Sequence, residues 1–140
     1  MGKFKVSTDK ETFDFEVIYQ FISTSYWAKG IPREILQKAI ENSVCFSVFD
    51  DDDQVGFARV VTDGATFGYL ADVFVLPSHR GLGLSKMMMQ QVVEHPELQG
   101  LRRMLLATAD AHGLYRQFGF RELSKPQNMM ESWDPTIYQR

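Results

Sequence analysis

Leu70–Ser85 reads LADVFVLPSHRGLGLS and constrains the fold more than any other stretch. It opens as an apolar run rich in β-branched and aromatic residues, the composition of a buried strand. Pro77 ends that strand, because proline has no N–H to give a ladder. Arg80-Gly81-Leu82-Gly83 then leads into Leu84-Ser85-Lys86-Met87-Met88-Met89, a good helix former. Strand, glycine turn and helix in that order leave unpaired N–H groups at the positive end of a helix dipole. Such a turn is an anion site, and a phosphate site in particular. Glycine has no side chain to keep the phosphate off the backbone.

Two phosphate patterns do not fit. The P-loop needs G-x-x-x-x-G-K-[ST], a spacing this stretch lacks. The dinucleotide fingerprint G-x-G-x-x-G would put a third glycine at Lys86, and the turn lies too deep in the chain to open a Rossmann domain. Composition narrows the classes further. At 140 residues the chain reads as one domain over 1–140, long enough to bury roughly two-thirds of its unfolded surface. Hydrophobic content of 44% with 24% charged residues reads as a soluble globular protein. Fifteen basic against eighteen acidic side chains leave a net charge of −3, which argues against nucleic acid. No apolar run is long enough to span a membrane, and the N-terminus lacks a signal-peptide core. The single Cys45 sits in an apolar run, which excludes a disulfide framework, reads as a small buried hydrophobe and points to a cytoplasmic setting.

In chain order, Lys3–Ser7 alternates as a first strand. Ser7-Thr8-Asp9 offers helix caps, and Phe13, Val17 and Phe21 recur every four residues beside Ile18 and Ile22, an amphipathic helix. Tyr26–Gly30 is a loop with two aromatics, and Pro32 suits the first turn of a helix through about Glu41. Val44–Phe49 and Gln54–Val61 read as strands around an acidic hairpin turn, Asp50–Asp53, which lacks the spaced ligands of a calcium loop, so no metal site is expected. After Thr62-Asp63-Gly64 comes the strand Phe67–Leu76, completing an antiparallel meander. The helix after the glycine turn runs to about Glu94, where His95-Pro96 breaks it. Arg102–Thr108 reads as a buried strand parallel to Phe67–Leu76, since the two flank a helical crossover. Ala111–Gln117 is a short helix stopped by Gly119, Phe120–Leu123 a returning strand, and one more strand is expected near Met129–Trp133 or Ile137–Tyr138. The fold class is thus α/β in the α+β sense, a mixed sheet with helices.

Val75-Leu76-Pro77-Ser78-His79-Arg80-Gly81-Leu82-Gly83 fits V-x-P-x-x-R-G-x-G at every position, and Arg80-x-x-Gly83-x-Ser85 matches R/Q-x-x-G-x-G/A with Ser85 in place of a smaller residue. This resembles the acetyl-CoA signature of the GNAT family of N-acetyltransferases. Ala111–Phe120 looks like a second segment of that family, A-x-x-L-Y-x-x-x-G-F, with Leu114 and Tyr115 in place. The resemblance implies a meander followed by a crossover whose two parallel strands splay apart. It also implies direct acetyl transfer from acetyl-CoA to an amine of a small molecule or peptide, with no acyl-enzyme and no metal. It departs at Thr108, where the family often has asparagine.

On that resemblance, Arg80, Gly81, Leu82, Gly83, Leu84 and Ser85 hold the pyrophosphate. Val73, Phe74 and Val75, with Thr108, Asp110 and Leu114, flank the pantetheine arm and thioester, a backbone N–H near Phe74 or Val75 facing the developing oxyanion. Tyr115 is the candidate acid for the leaving thiolate. Asp72, an acid inside an apolar strand, is the first candidate base, ahead of Asp63 and His112. Tyr26, Trp27 and Arg33 are candidates on the acceptor side. The reading allows a homodimer, and it leaves open a second class, a non-catalytic acyl-CoA binding or sensing domain.

Overall fold

The computed structural model describes residues 3–140. Strands β1 (Phe4–Ser7), β2 (Val44–Asp50), β3 (Asp53–Thr62), β4 (Phe67–Val75) and β5 (Arg103–Leu106) form one sheet in sequential order. The first three junctions are antiparallel and the last is parallel. The acidic run closes the β2–β3 hairpin, and Asp51 takes a left-handed φ of 52° there, a conformation that Asp tolerates.

Helices α1 (Phe15–Ser23) and α2 (Arg33–Glu41) cover one face; α3 (Leu84–Glu94) and the single turn and a half of α4 (His112–Arg116) cover the other. The strand period of two sorts the core between these faces. Phe46, Val48 and Val60 pack with Leu84, Met88, Met89 and Val92. Cys45, Phe57 and Phe74 pack with Ile18, Ile22, Leu36 and Ile40. Gln54 ties the helical layer to the sheet: its Oε1 accepts from Asp14 N at 2.7 Å, and its Nε2 donates to Ser47 Oγ at 2.9 Å.

Four sequence expectations need correction. Asp9 caps only a 3₁₀ turn at Lys10–Thr12, and α1 begins later, where Asp14 accepts from Glu16 N and Val17 N. The Arg102–Thr108 segment is a strand only over Arg103–Leu106, and it is half-buried rather than buried, because β5 is the edge of the sheet. Phe120–Leu123 is not a strand. Phe120 N donates back to Tyr115 O at 3.2 Å and its ring meets Tyr115 edge-on, so this segment caps α4 instead of pairing with β5. Neither tail candidate is a strand either. Met129–Trp133 is irregular, with Met130 97% and Trp133 71% exposed, and Ile137–Gln139 is a 3₁₀ turn. An extended segment needs a face to bury; Met129–Trp133 has none, and in the second candidate only Tyr138 packs against the α1–α2 core.

Candidate active site

The site is built where β4 outruns its parallel partner. The β4–β5 ladder has four pairs, from Phe67↔Arg103 to Leu70↔Leu106. Strand β4 continues to Val75 with no β5 partner, so the edge at Ala71–Val75 is open on that side. On its other side β4 carries a bulge. The register with β3 slips between Phe57↔Phe74 and Arg59↔Ala71, and Asp72 sits in the slip with φ 57°. Gly56 meets this region because a Cβ there would lie 3.1 Å from Phe74 O. Val73, Phe74 and Val75, named from the sequence, are therefore the open-edged segment just past a bulge.

The glycine turn follows at once. A 3₁₀ turn at Pro77–His79 redirects the chain, and Arg80 Nε donates to Val75 O at 3.1 Å, holding the turn against the strand end. Gly81 and Gly83 have φ near +80°, which glycine adopts without strain, and a Cβ on either would point into open space. Among the described residues, the amides of Gly81, Leu82, Gly83, Leu84, Ser85 and Lys86 donate to no protein acceptor. Six consecutive free N–H groups at the start of an 11-residue helix form a cradle with the chemistry of an anion site.

Helix α4 packs Tyr115 into the same core layer as Val75 and Leu84. Thr108 Oγ1 accepts from Ala111 N at 3.0 Å and so fixes the start of that helix. Tyr115 is 8% exposed, and its hydroxyl has no protein partner among the described residues yet is not sealed from solvent. Burial, and secondarily the Asp110 carboxylate, raises its phenol above the ordinary value of 10.0, so the hydroxyl stays protonated. Thr108 and Tyr115 line a cleft of about 440 Å³ that extends past the free edge of β5 to Phe120 and Pro126. The sequence reading did not include that far wall.

The three residues expected on the acceptor side, Tyr26, Trp27 and Arg33, lie on the α1–α2 side of the sheet. Trp27 Nε1 donates to Asp72 Oδ1 at 2.7 Å, and Arg59 Nε donates to Asp72 Oδ2 at 2.8 Å. Both carboxylate oxygens of Asp72 are thus committed, and its side chain is 7% exposed. Tyr26, 80% exposed, packs edge-on against Trp27. Arg33 is not near this group in its contacts: it forms a bidentate pair with Glu16 at 2.6 and 2.9 Å over the Tyr19 ring. Asp63 is a turn residue whose carboxylate accepts from the amides of Ala65, Thr66 and Phe67 and from the Thr66 hydroxyl. Those bonds hold it far below the usual carboxylate range, which is wrong for a base. Burial pushes the Cys45 thiol up to about 11, leaving it a poor nucleophile.

An open-edged strand after a bulge, a cradle of free amides and a tyrosine packed in the same core layer agree with a match to the acetyltransferase (GNAT) family over residues 14–120. The chain belongs to the GNAT acetyltransferase family. A GNAT-family protein from Xanthomonas campestris pv. campestris, solved by crystallography, superposes with a TM-score of 0.96 at 51% identity, covering 100% of this chain and 99% of that one. A Gibberella zeae protein that carries an acetyltransferase name is 34% identical across 81% of this chain and 76% of its own length. Serotonin N-acetyltransferase 2, chloroplastic, of Oryza sativa subsp. japonica is 34% identical across 65% of this chain. The GNAT segment here spans half of that rice protein.

Proposed function

We propose that this GNAT chain is an N-acetyltransferase that moves acetyl from acetyl-CoA to a primary amine of a small molecule or peptide by direct attack. The observation that carries the reading is the run of six free amides at Gly81–Lys86 beside the open edge of β4. The amides and the α3 dipole suit a pyrophosphate. The Val73–Val75 edge offers strand-like hydrogen bonds to the amides of a pantetheine arm, and a β4 N–H near Phe74 or Val75 stabilises the thioester oxygen as it gains charge. Tyr115 donates its proton to the departing thiolate. No cysteine relay is invoked, because the thiol of Cys45 is 1% exposed and stays protonated.

The amine must arrive without its proton. Asp72 is tied to Arg59 and Trp27, and we assign deprotonation to solvent water, so kcat/KM rises with pH toward the pKa of the amine. The supporting comparison is the rice relative, whose name specifies an amine acceptor. The test is release of free thiol from acetyl-CoA across a panel of amines, amino acids and peptides, with the N-acetyl product identified by mass. Turnover on any amine supports the reading. Tight acetyl-CoA binding with no turnover on the whole panel would favour an acyl-CoA sensor instead.

A further inference from the structure

Asp72 is oddly placed for a base. It occupies the β4 bulge in a left-handed conformation, a strained one for a residue other than glycine, so surrounding contacts must hold it there. Those contacts are two. Arg59 comes from the neighbouring strand, and its Nη1 also reaches Ser43 Oγ at 3.2 Å. Trp27 comes from the loop between α1 and α2, 45 residues away in sequence. The ring of Trp27 is 43% exposed although its N–H is bonded, so one edge is fixed to the bulge while much of the ring faces outward. A buried carboxylate with a cation on one oxygen and an indole N–H on the other is a strong hydrogen-bonding anchor. Phe21 lies 6.5 Å from Trp27 and stacks on Phe74, so the loop is held beside the thioester segment by ring packing as well.

We infer that Asp72 is a positioning residue: it latches Trp27, and with it Tyr26, against the β4 bulge and so sets how tightly the acceptor binds. This rests on the reading that an amine is acetylated at this site. The latch acts through the loop on acceptor binding and takes no proton from the amine. It lies apart from the Gly81–Lys86 amides, and Trp27→Phe leaves the Asp72–Arg59 pair that holds the bulge in place, so that variant keeps the acetyl-CoA site.

Two variants test this. Trp27→Phe removes the N–H and keeps a ring; Asp72→Asn keeps an acceptor for Trp27 but sets an amide NH₂ or a weakened oxygen against Arg59. Two readouts are used. Trypsin cleavage at the exposed Lys29 reports the loop without requiring any activity. Steady-state kinetics on the best amine found reports KM, kcat and their pH profiles. The latch predicts faster cleavage at Lys29 and an acceptor KM raised about tenfold in both variants, an unshifted kcat profile, and, in Trp27→Phe, acetyl-CoA affinity within twofold of the parent. It also predicts that the double variant is no worse than the poorer single one. Unchanged cleavage in Trp27→Phe overturns it, and so does an Asp72→Asn enzyme whose kcat collapses and recovers only at high pH. If no amine on the panel is acetylated, the amine reading fails, and the proteolysis result alone upholds or overturns the latch.

Discussion

Phe21 and Phe74 stack with ring centroids 4.1 Å apart and planes 7° from parallel. One ring belongs to α1 and the other to β4, one residue before the strand ends at Val75. The stack joins the helical layer to the open-edged end of β4, and Phe57 meets Phe74 from β3. Phe21→Ala therefore removes packing from a junction rather than from a single element. It should cost about 2 to 3 kcal/mol in urea unfolding, and it should raise acceptor KM more than it lowers kcat. A loss below about 0.5 kcal/mol would mean that the stack does not anchor α1.

Gly83→Trp places an indole in the amide cradle. The free space around a Cβ at Gly83 means the core need not move, although the left-handed φ of 79° adds about 1 to 2 kcal/mol of backbone strain. Acetyl-CoA should raise the melting temperature of the parent by mass action and leave this variant unchanged. A surviving shift would place the pyrophosphate elsewhere.

Asp63 gives a pH signature. Its carboxylate is stabilised by amide and hydroxyl donors of the β3–β4 turn, so its folded-state pKa lies below the ordinary 3.8. A depressed carboxylate adds stability that is present above its unfolded pKa and is lost as the pH falls through the folded one. Asp63→Ala should lower Tm by a few degrees near pH 7, and the gap from the parent should close as the pH is taken below about 4. A gap that stays constant down to about pH 2 would contradict the turn's reliance on the charge.

Much of the architecture was legible because local signals agreed with the tertiary outcome. The strand, glycine turn and helix at Leu70–Ser85 form as read, and the crossover logic placed β5 parallel to β4. What was not legible depended on partners distant in sequence. Asp72 looked like a base because an acid in an apolar strand needs a reason. The reason seen here is Arg59 across the ladder and Trp27 from a loop, and only the Arg inside a neighbouring strand could have hinted at it. Arg33 looked free for a carboxylate, but Glu16 on α1 already pairs with both of its terminal nitrogens. Phe120–Leu123 has strand composition, yet Tyr115 claims its first amide for a helix cap. The far wall of the cleft, from Phe120 to Pro126, belongs to a tail with no period to read.

The central claim is that Tyr115 protonates the leaving thiolate, and Tyr115→Phe tests it most directly. The substitution keeps the ring, its burial and its edge-on contact with Phe120, and removes only a hydroxyl that has no partner among the described residues. Stability should be nearly unchanged, and acetyl-CoA affinity also, because the hydroxyl matters most as charge develops on sulfur. Since the phenol is raised above 10.0, the parent should show no loss of kcat from this group up to about pH 9. Measured with the best amine at saturating acetyl-CoA, kcat of Tyr115→Phe should fall by about a hundredfold. A kcat within twofold of the parent would contradict the account and leave Tyr115 a core residue.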